Sequence, residues 1–278
     1  MTTLNIVGAG RVGQTLGRLW SAAGVFKVQS VLARSDVSAQ AAVGFVGSGQ
    51  AAASLTAMPY ADVWLLSVPD AQIAPTAQAL AALTPPHGAI RPALALHCSG
   101  ALGSDQLAPL RAAGWQVASS HPLLSFAQPE LAAAQFAGTP CALEGDALAL
   151  TQLRAAFSRI GGQCFTLAAQ DKLLYHAGAV LATTFIPVLQ DLAERLWQHS
   201  GMPADLAQQM RATLLHNAVN NIVALGPQCA LTGPAARGDW ELVNRQTLAV
   251  ANWNVQAGVA YAALSQLAGQ LAPKHRQY

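Results

Sequence analysis

Two apolar rhythms divide the chain. Up to about Ala169, short unbroken apolar runs alternate with stretches whose apolar positions recur at helical spacing; from Gln170 onward only the helical rhythm remains. The runs Thr3 to Val7, Lys27 to Ala33, Asp62 to Val68, Ala93 to His97, Trp115 to Ser119, Thr139 to Leu143 and Gln163 to Ala168 predict strands. Asp62 to Val68 is apolar enough for a parallel strand buried on both faces. A weak short strand is expected around Gly44 to Gly49 and the alanines that follow. Helices are predicted after Gly13, over 71–83 and over 147–160, the last stopped by Gly161-Gly162. In the helical part, breaks are expected at Gly201-Met202-Pro203, Gly226-Pro227 and Gly233-Pro234. The pattern predicts an α/β doubly wound parallel sheet over 1–169, then an all-helical domain over 170–278, and a chain of 278 residues suits two domains.

The first strand runs directly into Gly8-Ala9-Gly10-Arg11-Val12-Gly13, after which the helical period of Val12, Leu16, Leu19 and Trp20 begins. This is strand, glycine turn, helix. Gly8 permits the tight turn, Gly10 lets backbone approach a pyrophosphate, and Gly13 lets helix and strand pack closely. The open N–H groups from Arg11 through Val12 and Gly13 would face the anion. At the end of the second strand, where a carboxylate would accept from the ribose hydroxyls of NAD, the chain has Ala33-Arg34-Ser35. A guanidinium fork and a hydroxyl suit the extra phosphate of NADP, while nearby Asp36 keeps NAD possible and Ser35 is also a natural helix cap. Ser67, Val68 and Pro69, just past the carboxyl end of a central strand, are expected to border the same cofactor.

Strand ends also carry the candidate chemistry. Ser99 follows the fifth expected strand and His121 the sixth, and both are substrate-side candidates; His97 fits equally well as a buried ring satisfied by backbone. Lys172 and His176 lie four apart on the first helix of the second domain, with Tyr175 one position off, and are the candidates for proton transfer. Asn217, Asn220 and Asn221 on a later helix, and Asp239 in Arg237-Gly238-Asp239, complete the polar set, with Asn220 and Asp239 as substrate-binding candidates.

Composition narrows the classes. Hydrophobic residues make up 53% of the chain and charged residues 10%, which excludes a disordered protein, and the net charge of +2 comes without any basic block that would argue for nucleic acid. Four scattered cysteines offer no metal-ligand spacing; no metal is expected, and buried free thiols in a reducing cytoplasm are the expectation. The first strand follows almost at once on Met1, so no secretory leader is expected. The most apolar run, Ala177 to Leu189, is shorter than the ~20 residues of a membrane span, and a buried core helix is expected instead. Apolar surplus around Leu173 to Leu196 and Leu214 to Leu231 points to a homodimer.

Taken together, Gly8 to Gly13, Ser67-Val68-Pro69-Asp70, His97-Cys98-Ser99-Gly100-Ala101-Leu102, His121-Pro122-Leu123, Tyr175-His176-Ala177, and Leu231-Thr232-Gly233-Pro234 with Arg237-Gly238-Asp239 resemble one family. It comprises Rossmann-like oxidoreductases with a helical C-terminal domain of unknown function (2520 type). In architecture these are similar to ketopantoate reductase, pyrroline-5-carboxylate reductase and the 6-phosphogluconate and 3-hydroxyisobutyrate dehydrogenases. The resemblance implies NADP binding by the N-terminal domain and dimerisation through the helical domain, and it supplies no substrate. Where the relatives carry a serine-asparagine pair, this chain has Thr183-Thr184. The expected activity is hydride transfer between a nicotinamide and a small polar metabolite of keto, imino or hydroxy acid type in an interdomain cleft. The alternative is an NADP-binding sensor or scaffold without catalysis.

Overall fold

The computed structural model describes residues 1–83 and 93–272. Its strands are β1 (Thr3–Val7), β2 (Lys27–Leu32), β3 (Gln50–Ala52), β4 (Val63–Leu66), β5 (Leu94–His97), β6 (Gln116–Pro122), β7 (Pro140–Gly145) and β8 (Gln163–Thr166), and they form one sheet in the order β3-β2-β1-β4-β5-β6-β7-β8. The seven strands expected from apolar runs are present, β2, β4, β5 and β8 slightly shorter and β6 and β7 extending further at their carboxyl ends; the weak strand expected from Gly44 begins only at Gln50, because the preceding helix, Asp36–Val46, runs into its start. The order reverses between β1 and β4. Two neighbouring strands there send their following segments to opposite faces, which opens a crevice at the carboxyl edge.

Helices α1 (Arg11–Ala22), α2 (Asp36–Val46), α3 (Asp70–Ala81), α4 (Ala108–Ala112), α5 (Pro129–Gln135) and α6 (Ala147–Ser158) cover the sheet. Period-2 alternation in β1 explains the two cores. Leu4 and Ile6 point to one face, where Leu16 and Trp20 of α1 meet Leu153 and Phe157 of α6. Val7 points to the other, with Trp64, Leu66, Trp115 and the α3 residues Ile73, Ala77 and Leu80. Trp20 seats edge-on against Phe157 and donates its indole N–H to the Ala156 carbonyl at 3.1 Å, which removes the cost of burying that group. The short α4 and α5 have too few turns to show a period and were not expected.

The sheet is not wholly parallel, which corrects the expected doubly wound parallel arrangement. β6 and β7 pair antiparallel, with Pro122 opposite Cys141 and Ala118 opposite Gly145, while all other neighbours pair parallel. The link between them explains the reversal. A parallel crossover must return along the full strand length, usually by a long helix. Here α5 has seven residues, about 10 Å of rise, and it buries Ala132 with Phe136 following into the α1 face. The chain therefore re-enters beside Pro122 and runs back down.

Two compact units emerge, 1–180 and 181–278. The sequence pattern divides the chain at Ala169, where strands end. Helix α7 (Lys172–Thr183) nonetheless begins in the sheet unit, so Lys172, Tyr175 and His176 all belong to that unit. The second unit contains α8 (Phe185–His199), α9 (Ala204–Ala230), α10 (Pro234–Arg237), α11 (Trp240–Trp253) and α12 (Val255–Leu271). The expected breaks are present: α9 kinks at Gly226, whose φ of 75° lies outside the helical region, and Pro234 opens α10. Arg211 binds Glu194 at 2.6 Å between α9 and α8.

The apolar run Ala177 to Leu189 is not a buried core helix. Leu181, Phe185, Val188 and Leu189 are exposed in the single chain, because no described layer of the chain covers them. The helical stretch 169–199 is long and apolar enough, by length and composition, to cross a membrane, longer than expected because α8 follows α7 directly. Cys229 is likewise exposed, not buried; Cys141 is buried, and Cys98 and Cys164 are partly covered.

Candidate active site

The glycine turn is built as its spacing demands. Gly8 has φ +91°, and a Cβ there would lie 2.6 Å from the Ser67 carbonyl; at Gly13 it would lie 2.6 Å from the Gly8 oxygen. Side chains at either position would separate β1 from β4 or α1 from the turn. Gly10 differs, having backbone only at 4.0 Å from its would-be Cβ and facing open space. It starts α1 without a side-chain cap, so the first N–H groups of the helix, Arg11 to Gly13, have no side chain holding them.

A groove of about 870 Å³ opens here, lined by Gly8, Ala9, Gly10, Arg34, Ser67, Val68 and Pro69 among others. Arg11, Val12, Gly13 and Ser35 are not among its lining. Ser35 instead caps α2, accepting from the Ser38 N–H at 3.2 Å. Ser38 takes the place in the groove expected of Ser35. Gln72 and Thr76, four apart on α3, also line it and were missed, although helical spacing after Pro69 places both on one face.

A second polar cluster stands two strands along the same edge. Lys172 is only 1% exposed, and its ammonium donates to the Ser99 carbonyl at 3.1 Å and to Ser119 Oγ at 2.8 Å. Burial holds its pKa below the usual lysine value, against the pull of Glu144, Cys98 and Asp70. Ser99 donates its hydroxyl to Asp70 Oδ2 at 2.8 Å and accepts from the N–H groups of Ala101 and Leu102 at 3.2 and 3.0 Å. One hydrogen and two lone pairs are all a hydroxyl has. Ser99 therefore builds the turn, and its hydroxyl has nothing left to offer a substrate, contrary to the expectation. His97 is buried between the Gly103 carbonyl at 2.8 Å and the Ser99 N–H at 3.2 Å, a structural ring.

His121, Tyr175 and His176 gather beside that turn. His121 Nδ1 lies 3.0 Å from the Tyr175 hydroxyl, and its ring meets those of Tyr175 and His176 edge-on, each at 5.5 Å. Burial first, then the neighbouring His176 and Lys172, push the His121 pKa down to about 4, with Asp70 opposing, so the ring is neutral at neutral pH. Burial pushes Tyr175 up to about 12, so its proton stays on. His176 Nδ1 is buried against Gly100 without a hydrogen-bond partner among the described residues. Cys98, pushed up to about 12 by burial, is no thiolate nucleophile.

The structure thus brings Lys172 and His176 together with His121 and Ser99, all within the sheet unit. Of the second unit's candidates, Asp239 caps α11 by accepting from Leu242 N–H at 3.2 Å, and Asn220 is exposed on α9. Asp70 and Tyr175 are the residues that sequence reasoning passed over, the one named only within a motif and the other only as a neighbour of His176.

Fold and site define a Rossmann-like α/β protein with a helical C-terminal part. Residues 2–122 match the model of a Rossmann-like domain, and residues 139–268 match that of the domain of unknown function DUF2520, the pairing that the motifs implied. No curated protein sequence matches it. Among solved structures it is similar to a protein from Thermotoga maritima (26% identity, TM-score 0.73, 97% of this chain and 98% of that one) and to a protein from Bacteroides fragilis (20%, 0.78, 97% and 98%). It also shares its fold with an imine reductase from Myxococcus stipitatus in complex with NADP+ (18%, 0.65, 96% and 94%).

Proposed function

We propose that the protein is an NADP-dependent oxidoreductase acting on a small polar keto, imino or hydroxy acid. One observation carries this reading: a glycine-walled groove and a cluster of two histidines and a tyrosine share the carboxyl edge of one sheet. Bound in the groove, NADP would supply or take the hydride. Gly8, Gly10 and the amino end of α1 receive the diphosphate, and Arg34 with Ser38 receives the 2′-phosphate. NAD, which lacks that phosphate, is the weaker ligand. The Myxococcus imine reductase, solved with NADP+, supports this cofactor.

His176 handles the proton, its Nε2 being the ring nitrogen left for a substrate, and His121 orients the reacting group with Tyr175. Lys172 acts from behind, holding the Ser99 turn. The test is NADPH consumption with small keto and imino acids. Turnover that His176→Ala lowers at least about tenfold supports the reading, and unchanged turnover removes His176 from it.

A second reading is a nucleotide-binding sensor without catalysis. The engagement of Lys172 and Ser99 with their own neighbours favours it, and tight NADPH binding without turnover on any substrate would establish it. In either case we propose a homodimer through the helical unit, supported by the exposed leucines and valines of α7, α8 and α9.

A further inference from the structure

Ser99 joins the groove to the histidine pair. Asp70 follows directly on Pro69, which walls the groove with Ser67 and Val68, but Asp70 is not part of that wall; its carboxylate accepts from Ser99 at 2.8 Å. The same Ser99 oxygen holds the N–H groups of Ala101 and Leu102, which fixes the turn carrying Gly100, and Lys172 holds the Ser99 carbonyl from the other side. The position of Gly100 matters to both rings. A Cβ there would run into His176 Nδ1 and come within 2.9 Å of His121 Nε2, so backbone at this point forms the floor on which the imidazoles rest.

We infer that Asp70 is a positioning residue that transmits occupancy of the groove, through Ser99 and Gly100, to His121 and His176. The inference rests on the nucleotide reading of the groove. A ligand pressing on Ser67 to Pro69 moves the start of α3, the carboxylate at that start draws on Ser99, and the turn shifts under the rings. Nucleotide loading thereby sets the proton-handling groups before substrate arrives. Hydrogen bonds run from Asp70 to the Ser99 turn and packing continues from Gly100 to the rings; the coupling itself is what the experiment reads.

The experiment uses the full chain with 15N-labelled histidine, NADPH as the probe, and the variants Asp70→Ala, which removes the acceptor of the Ser99 hydroxyl, and Ser99→Ala. In the native protein, saturating NADPH is expected to shift the ring nitrogen signals of His121 and His176. In both variants NADPH should bind within about threefold of the native affinity, yet move those signals less than about half as far. Signals that move as far in the variants as in the native protein overturn the inference and leave the nucleotide reading standing, as does NADPH binding that moves no histidine signal. Failure of the native chain to bind NADPH overturns both. Should Asp70→Ala not fold, Asp70→Leu takes its place, since Ser99→Ala also frees the N–H groups of Ala101 and Leu102 and reports on the turn as a whole.

Discussion

The hydroxyl of Tyr175 and Nδ1 of His121 lie 3.0 Å apart, joining the first turns of α7 to the end of β6. Tyr175→Phe removes this bond while keeping the ring contact with Phe165. The expected loss of stability is about 1 kcal/mol, measured by denaturant unfolding. A loss near zero would mean that the bond does not form in solution.

His121 also sets a pH dependence. Its pKa is near 4 in the fold against 6.5 for a free ring. Between those values the unfolded chain binds more protons, so stability is full above about pH 6.5 and falls as pH drops toward 4, by up to about 3 kcal/mol. His97, lowered in the same direction by burial, adds to the slope. Thermal melts from pH 7 to 4 should show the decline, and His121→Asn should flatten it. An unchanged slope in that variant would assign the decline elsewhere.

Gly10 and Gly13 separate binding from folding. Gly13→Ala pushes a methyl against the Gly8 oxygen and should lower the melting temperature clearly. Gly10→Ala meets open space and a φ of −73°, so stability should stay within about 1 kcal/mol while NADPH affinity falls at least about tenfold. Calorimetry that returned native affinity for a folded Gly10→Ala chain would argue against diphosphate at this turn.

Arg34→Ala tests cofactor choice. Losing the guanidinium should weaken NADPH at least about tenfold and leave NADH within about twofold. Equal losses for both would show that Arg34 does not read the 2′-phosphate.

Light scattering at micromolar concentration, without detergent, should return twice the single-chain mass of 28.7 kDa. A single-chain mass would leave the exposed face of α7 and α8 to some other cover.

The sheet and the groove were legible because their signals are local. Gly8, Gly10 and Gly13 are spaced by the geometry of one turn, and the burial of β4 is written in consecutive residues. The reversal at β7 was not legible, since an apolar run carries no direction. Ser99 was misread for a related reason: its spacing after β5 marks a strand end, but only the fold shows Asp70, Ala101 and Leu102 consuming its hydroxyl. Lys172 and His176 were found by helical spacing, yet the depth of Lys172 depends on Ser119, a residue 53 positions away.

The antiparallel pairing of β6 with β7 has a consequence for anyone who would cut or transplant this chain. The family boundary at residue 139 falls just before β7, so the Rossmann-like segment 2–122 ends in β6 with one edge bare. Expressed alone, it would present that edge to other molecules as a template for strand addition. A chimera that kept the helical segment but began it after β8 would lose both downward strands that bring α7 to the foot of the histidine cluster. The hereditary unit, as far as this site is concerned, straddles the seam between the two named domains.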